Sequence, residues 1–249
     1  MTSRTAVRRV VSLVPSLTEA VAVTAPGLLV GATDWCDHPA GLDVTRVGGT
    51  KNPDTDRIAG LAPDLVIANE EENREPDLAA LRAAGLRVMV TEVRTLEQAF
   101  SELERVLVDG CGLTRPRWLD QAEAVWRDWR APVDGPVRRA AVPIWRRPWM
   151  VLGRDTFAGD LLARLGVANA YAAHAERYPR VPIEELRAAA LDLVVLPDEP
   201  YRFTRDDGPE AFPTALPVAL VSGRHLTWYG PSLAEAPAVL SAALRAARR

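Results

Sequence analysis

The side chains in this sequence best suited to hold a ligand are aromatic, and they gather in short stretches. Trp145 and Trp149 flank Arg146-Arg147-Pro148. Tyr201 and Phe203 follow Glu199, Trp228-Tyr229 precedes Gly230-Pro231, and Trp35 stands among Asp34, Cys36, Asp37 and His38. Large planar side chains stack on a flat ligand with little loss of entropy, and a few polar groups then fix its orientation. The competing reading of each aromatic is a core residue or a loop anchor.

A second group is acidic. Asn69-Glu70-Glu71-Glu72-Asn73 reads as a loop, and such a run is most often a solvated surface. Glu71 gains weight because Glu199 matches it across an internal repeat. Facing carboxylates of this kind bind a cation, hydrogen-bond a ligand, or salt-bridge to Arg146 or Arg147. Glu71, Glu72, Asn73, Arg146 and Glu199 therefore join the aromatics as candidate ligand contacts.

Catalysis is not indicated. No nucleophile accompanies the carboxylates. The stretch from Gly153 to Gly159 lacks dinucleotide and P-loop spacings, and Asp155 or Thr156 reads as a helix cap. There is no GxSxG elbow. Lys51, the only lysine, reads as a solvated loop residue rather than a Schiff-base former. Cys36 and Cys111 could pair, but two cysteines make no disulfide framework. No Cys/His cluster argues for zinc, and only the fold could gather His38, His174 and His225. The expectation is a binding protein with no catalytic residue, no metal site and no intrinsic cofactor.

These residues need a scaffold, and the sequence supplies one by duplication. Ala62-Pro63-Asp64-Leu65-Val66-Ile67 recurs as Ala190-Leu191-Asp192-Leu193-Val194-Val195 at an offset of 128 residues, and at the same offset Ile58 pairs with Leu186. Each copy reads as a helix end, an Asp turn, a buried strand and a polar loop. Strands are expected at 10–14, 28–33, 65–68, 86–90, 139–145, 193–196 and 218–221. Helices are expected from Ser16, capped by a Ser16/Glu19 box, and at 54–61, 77–84, 95–108, 156–165, 183–190 and 232–247. This alternation implies an α/β fold with mainly parallel sheets.

Residues 115–130 differ. Trp118, Ala122, Val125, Trp126 and Trp129 fall at helical spacing. About 16 residues at 1.5 Å each span roughly 24 Å. The expectation is one backbone helix joining two similar lobes, with a core helix of one domain as the alternative. The lobes then cover 1–113 and 133–249, the helix 114–132, with a linker at 132–136. Ligands of parallel α/β sheets sit beyond the carboxyl ends of strands, which puts the expected cleft between the lobes.

Composition sets bounds. The chain of 249 residues is 48% hydrophobic and 25% charged, with a formal charge of −3. That balance gives no pull toward nucleic acid. No stretch approaches the ~18 apolar residues of a membrane helix. The apolar run at 10–14 is too short for a signal-peptide core. A soluble, cytoplasmic monomer is the expectation, or an extracytoplasmic protein whose leader has been removed.

The opening Val10-Val11-Ser12-Leu13-Val14-Pro15-Ser16-Leu17-Thr18-Glu19 resembles that of the helical-backbone metal receptors, the class III substrate-binding proteins of ABC importers. Ile58-Ala59-Gly60-Leu61-Ala62-Pro63-Asp64-Leu65-Val66-Ile67 resembles their most recognisable segment, and residues 187–195 echo it. The resemblance covers nearly the whole chain and is closest to the cobalamin-binding branch. It implies a corrinoid, haem or ferric siderophore as ligand and an ABC permease as partner, with Asp56 and Asp160 at the acidic docking positions. Trp35 falls at a position where such proteins present an aromatic residue, while Thr50-Lys51 and Ala68-Asn69 lack the tryptophans some of them carry. An alternative use of the same fold is a cytoplasmic enzyme, chaperone or sensor of cofactor metabolism.

Overall fold

The structure, a computed structural model, describes residues 6–130 and 136–247; most of the expected linker lies outside them. The chain forms two compact units. Unit one comprises Met1–Glu92, Gln98–Gln121 and Tyr229–Pro231, and unit two comprises Val93–Glu97, Ala122–Trp228 and Ser232–Arg249.

Unit one begins with β1 (Val10–Ser12), α1 (Pro15–Thr24), β2 (Leu29–Ala32) and β3 (Thr45–Arg46). A short antiparallel ladder of β4 (Gly48–Gly49) and β5 (Asn52–Pro53) follows. Next come α2 (Thr55–Gly60), β6 (Leu65–Asn69), α3 (Glu75–Ala83) and β7 (Val88–Thr91). The main sheet is parallel, in the order β3-β2-β1-β6-β7. Its central strands are buried along their whole length, which is why they read as unbroken apolar runs. Val11, Leu13, Ile58, Val66, Leu78 and Leu81 form the core between sheet and helices. Helices α4 (Leu96–Glu104) and α5 (Arg117–Asp128) each have residues in both units, and α5 is shorter than the helix expected at 115–130.

Unit two contains β8 (Arg138–Ala141), β9 (Pro143–Arg146), β10 (Trp149–Val151), α6 (Phe157–Arg164), β11 (Val167–Asn169) and α7 (Ile183–Ala188). It continues with β12 (Leu193–Pro197), β13 (Val218–Val221), α8 (Gly223–Thr227) and α9 (Ala236–Ala246). Its parallel sheet runs β11-β8-β12-β13, the topology of β2-β1-β6-β7. The duplication is thus structural. Asp64 Oδ2 accepts from the backbone N–H of Arg9 at 2.9 Å, and Asp192 Oδ2 accepts from that of Arg139 at 2.9 Å. In both copies the Asp turn fastens the start of one interior strand to the start of its neighbour, β1 to β6 and β8 to β12.

Several local expectations are corrected. Helix α1 starts at Pro15 with Val14 as its N-cap and no side-chain cap, so Ser16 and Glu19 form no capping box. Proline is pre-organised for the first helical position and moves the N-cap two residues upstream, from Ser16 to Val14. The single strand expected at 139–145 is two, β8 and β9, because Pro143 has no N–H to continue the ladder. Strand β9 instead turns back through Arg147-Pro148 into β10, an antiparallel hairpin. The helix expected at 95–108 is α4 continued by a π-helical turn over Arg105–Gly110. The helix expected at 232–247 is a 3-10 turn, Pro231–Ala234, followed by α9, whose start is set by Pro237 in its first turn. Cys36 and Cys111 are both buried and free, so they do not pair.

Candidate functional site

In unit one the acidic loop leaves the carboxyl end of β6. Asn69, the last residue of that strand, donates to the carbonyl of Thr91 at 3.0 Å and accepts from the Glu71 N–H at 2.8 Å. The loop is therefore wound around a buried amide. Asn73 closes it: its Oδ1 accepts from the Asn69 N–H at 2.9 Å, and its Nδ2 donates to the Thr50 carbonyl at 2.9 Å. Lys51 Nζ donates to the Glu71 carbonyl, so the lysine braces the loop from the solvent side.

Glu71, Glu72 and Tyr229 share one neighbourhood. Burial pushes the Glu72 carboxyl above its usual range, with Lys51 opposing and the Glu71 charge adding to the rise. Burial also pushes the Tyr229 phenol up, reinforced by the Glu72 charge and opposed by hydrogen bonds to Thr91 and Ser16. Tyr229 is 8% exposed and stays a neutral phenol at ordinary pH. Trp35, beyond the end of β2, is 67% exposed beside Gly49. Asp56 is exposed in the first turn of α2, where Asp54 is the N-cap and accepts from the Arg57 N–H at 2.9 Å.

In unit two the structure brings five of the candidates together. The rings of Trp145 and Tyr201 meet edge to face at 5.6 Å, Tyr201 and Phe203 lie at 4.7 Å, and Trp149 stacks on Phe203 at 6.0 Å. Such pairs stabilise beyond the area they bury. Phe203 and Phe212 belong to the core of this unit, with Trp149 and Tyr201 packed against it. Trp145 is the solvent-facing member. Arg146 lies over the Trp149 ring at 5.5 Å and ion-pairs with Asp207 and Glu210. These two, rather than Glu199, are its carboxylate partners. Burial works to raise the Glu210 carboxyl, but hydrogen bonds from Gly208 and Arg146 hold it below its usual range. Tyr201 Oη donates to Asp207 Oδ2 at 2.6 Å, which ties ring cluster and ion pair into one network.

Glu199 and Trp228 form a separate pair. Glu199 follows β12 as Glu71 follows β6, and its Oε2 accepts from the Trp228 indole N–H at 3.0 Å. The loop is pinned at Gly223, whose N–H donates to Asp198 Oδ1 at 2.6 Å. A Cβ on Gly223 would stand 2.6 Å from the Glu199 backbone nitrogen, so only glycine fits. Asp160 is half-buried: its Oδ2 accepts from the Leu96 N–H at 2.9 Å and from Arg164 Nε at 3.0 Å. Thr156, not Asp155, caps α6. Among the described residues, no group of three His, Cys, Asp or Glu is placed to hold a metal.

Sequence reasoning missed the partners of these residues. Arg180, Val181 and Pro182 pair with the β9–β10 hairpin and line a cavity of about 420 Å³ with Arg146, Arg147, Pro148 and Trp149. No motif marks them; the contact is made by a chain segment about thirty residues away. Asp207 and Glu210 were equally silent, since isolated carboxylates in a loop carry no periodic signal.

No established protein-family profile matches the chain. It is 26% identical over 186 residues to the vitamin B12-binding protein of Vibrio cholerae, a match covering 72% of this chain and 66% of that relative's length. Its fold matches the periplasmic vitamin B12 binding protein BtuF of Vibrio cholerae with a TM-score of 0.76, at 19% identity over 97% of this chain and 98% of that one. The periplasmic haem-binding protein RhuT of Roseiflexus sp. RS-1 matches with a TM-score of 0.76, at 21% identity over 97% and 99% of the two chains. The resemblance to class III substrate-binding proteins, closest to their vitamin B12 branch, and the two-domain parallel α/β fold both stand. The cytoplasmic placement is corrected, because these solved structures are described as periplasmic proteins. The alternative of a cytoplasmic enzyme, chaperone or sensor is not supported: these relatives carry the names of binding proteins.

Proposed function

From the similarity to vitamin B12-binding proteins, we propose that this chain is a substrate-binding protein for a metal-containing planar small molecule, a corrinoid in the first place and a haem or ferric chelate in the second. The observation that carries the reading is that similarity, extending over 72% of the chain. The exposed rings of Trp35 and Trp145 support it, since a ligand plane can stack on them. In unit one the proposed contacts are Trp35, Glu71, Glu72, Asn73 and Tyr229. In unit two they are Trp145, Arg146, Trp149, Glu199, Tyr201, Phe203 and Trp228. The ligand is bound and released unchanged. An ABC permease is the proposed partner, with the exposed Asp56 as the better placed of the two docking acids.

Haem is kept as a second ligand because a haem-binding protein matches the fold as closely as a vitamin B12-binding one. The test is titration of the purified chain with cobalamin, cobinamide, haem and ferric siderophores, followed by tryptophan fluorescence corrected for ligand absorbance and by calorimetry. Saturable one-to-one binding of micromolar strength or tighter to one of them is expected. Failure of every member of the panel in both measurements sinks the reading.

A further inference from the structure

Two guanidinium groups of unit two lie beside the Arg146 network without a carboxylate of their own. Arg147 sits in the turn of the β9–β10 hairpin, and Arg180 lies on the segment that pairs with it through the Met150–Arg180 bridge. Backbone bonds hold that segment in place: the Val181 N–H donates to the Trp149 carbonyl at 3.1 Å and the Val151 N–H to the Pro179 carbonyl at 3.1 Å. Both arginine side chains are exposed, and among the described residues neither has a hydrogen-bond or ion-pair partner. Both line the cavity of about 420 Å³ whose other walls are Pro148, Trp149, Val181 and Pro182. No carboxylate lines it. Asp207 and Glu210 engage Arg146, the third arginine of the wall, which leaves Arg147 and Arg180 as net positive charge over an apolar surface.

We propose that this cavity is a binding site for an oxyanion, carboxylate or phosphate, carried on a flat apolar body. A guanidinium offers a planar fork of donors that matches either oxyanion and is weakly hydrated, so little is lost when it leaves water. Trp149 and the two prolines supply the surface against which the apolar part packs. The site lies within unit two and shares Arg146 and Trp149 with the contacts proposed above, but its test needs no metal-containing ligand.

The test uses three fluorescent probes with one ring system: 1-pyrenebutyrate, 1-pyrenemethyl phosphate and the uncharged 1-pyrenebutanol. Pyrene absorbs where tryptophan emits, so Trp149 and its neighbours report binding by energy transfer. Both anionic probes are expected to bind the full chain, the better of them at least tenfold more tightly than the alcohol. The tighter anion identifies the preferred group. Arg147→Ala/Arg180→Ala is expected to bring the anions down to the level of the alcohol while leaving the alcohol and the melting temperature unchanged. Arg147→Lys/Arg180→Lys should recover part of the loss. Equal binding of all three probes, or an unaltered double-alanine variant, overturns the proposal. Anion discrimination by a chain that binds no metal-containing ligand would sink the proposed function and leave this site standing.

Discussion

The indole N–H of Trp228 donates to Glu199 Oε2 at 3.0 Å, in a ring that is 8% exposed. Glu199→Ala leaves that donor without its acceptor and is expected to lower the unfolding free energy by about 1–3 kcal/mol. Glu199→Gln keeps an acceptor and should cost less. Trp228→Ala, which opens a cavity, is expected to cost about 3–5 kcal/mol. Trp145→Ala, at a site 42% exposed, should cost far less. Urea unfolding of the four variants decides; a Trp228→Ala chain with an unchanged midpoint would show the burial to be wrong.

Asp160 bonds the Leu96 N–H and the Arg164 side chain. Its loss exposes an unsatisfied donor at the start of α4. Asp160→Ala should cost about 1 kcal/mol, as other cap removals do, and Asp160→Asn should keep most of the cap. The pair separates stability from docking: a partner-binding defect in Asp160→Asn with an unchanged melting curve would assign the charge to a partner, and a defect confined to Asp160→Ala would assign the residue to the fold.

Glu72 gives a pH signature. Its folded pKa is raised by burial, so the folded chain binds more protons than the unfolded one between the ordinary carboxylate range and the raised value. Stability from this group falls as pH rises through that window. Glu72→Gln is expected to melt higher than the parent at neutral pH, with the gap closing as pH drops below the ordinary carboxylate pKa. A gap that stays constant from pH 4 to pH 8 removes the assignment.

Gly223 tests how tightly the Glu199 loop is set. An alanine Cβ there meets the Glu199 backbone at 2.6 Å, so the loop must shift. Overpacking of this kind costs about 1–3 kcal/mol. Gly223→Ala should also disturb the Trp228 environment, read as a change in near-ultraviolet dichroism. A variant that melts like the parent with an unaltered aromatic signal would show the contact to be soft.

How much of this was legible in sequence follows the physics of each part. The repeat was readable because α2 with β6 and α7 with β12 each place a buried apolar strand behind an Asp turn, and burial on both faces leaves an unbroken hydrophobic run. The β9–β10 hairpin was hidden because its turn, Arg147-Pro148, gives none of the usual glycine or asparagine signals. Trp149, Tyr201 and Phe203 were found as types, but their packing against the core depends on Phe212, a residue no local pattern singles out. The cap at Ser16 failed because Pro15 outranked it.

Tyr229–Pro231 belongs to unit one although the residues on either side belong to unit two. Its phenol bonds Thr91 and Ser16, and a Cβ on Gly230 would stand 3.1 Å from the Ser16 carbonyl oxygen. The first unit is therefore closed by a short segment that follows most of unit two in the chain. Ser16 and Thr91 receive their tyrosine only after the strands of both main sheets have been made. A first half made without Tyr229 is left with an open seam where that phenol sits against Ser16 and Thr91.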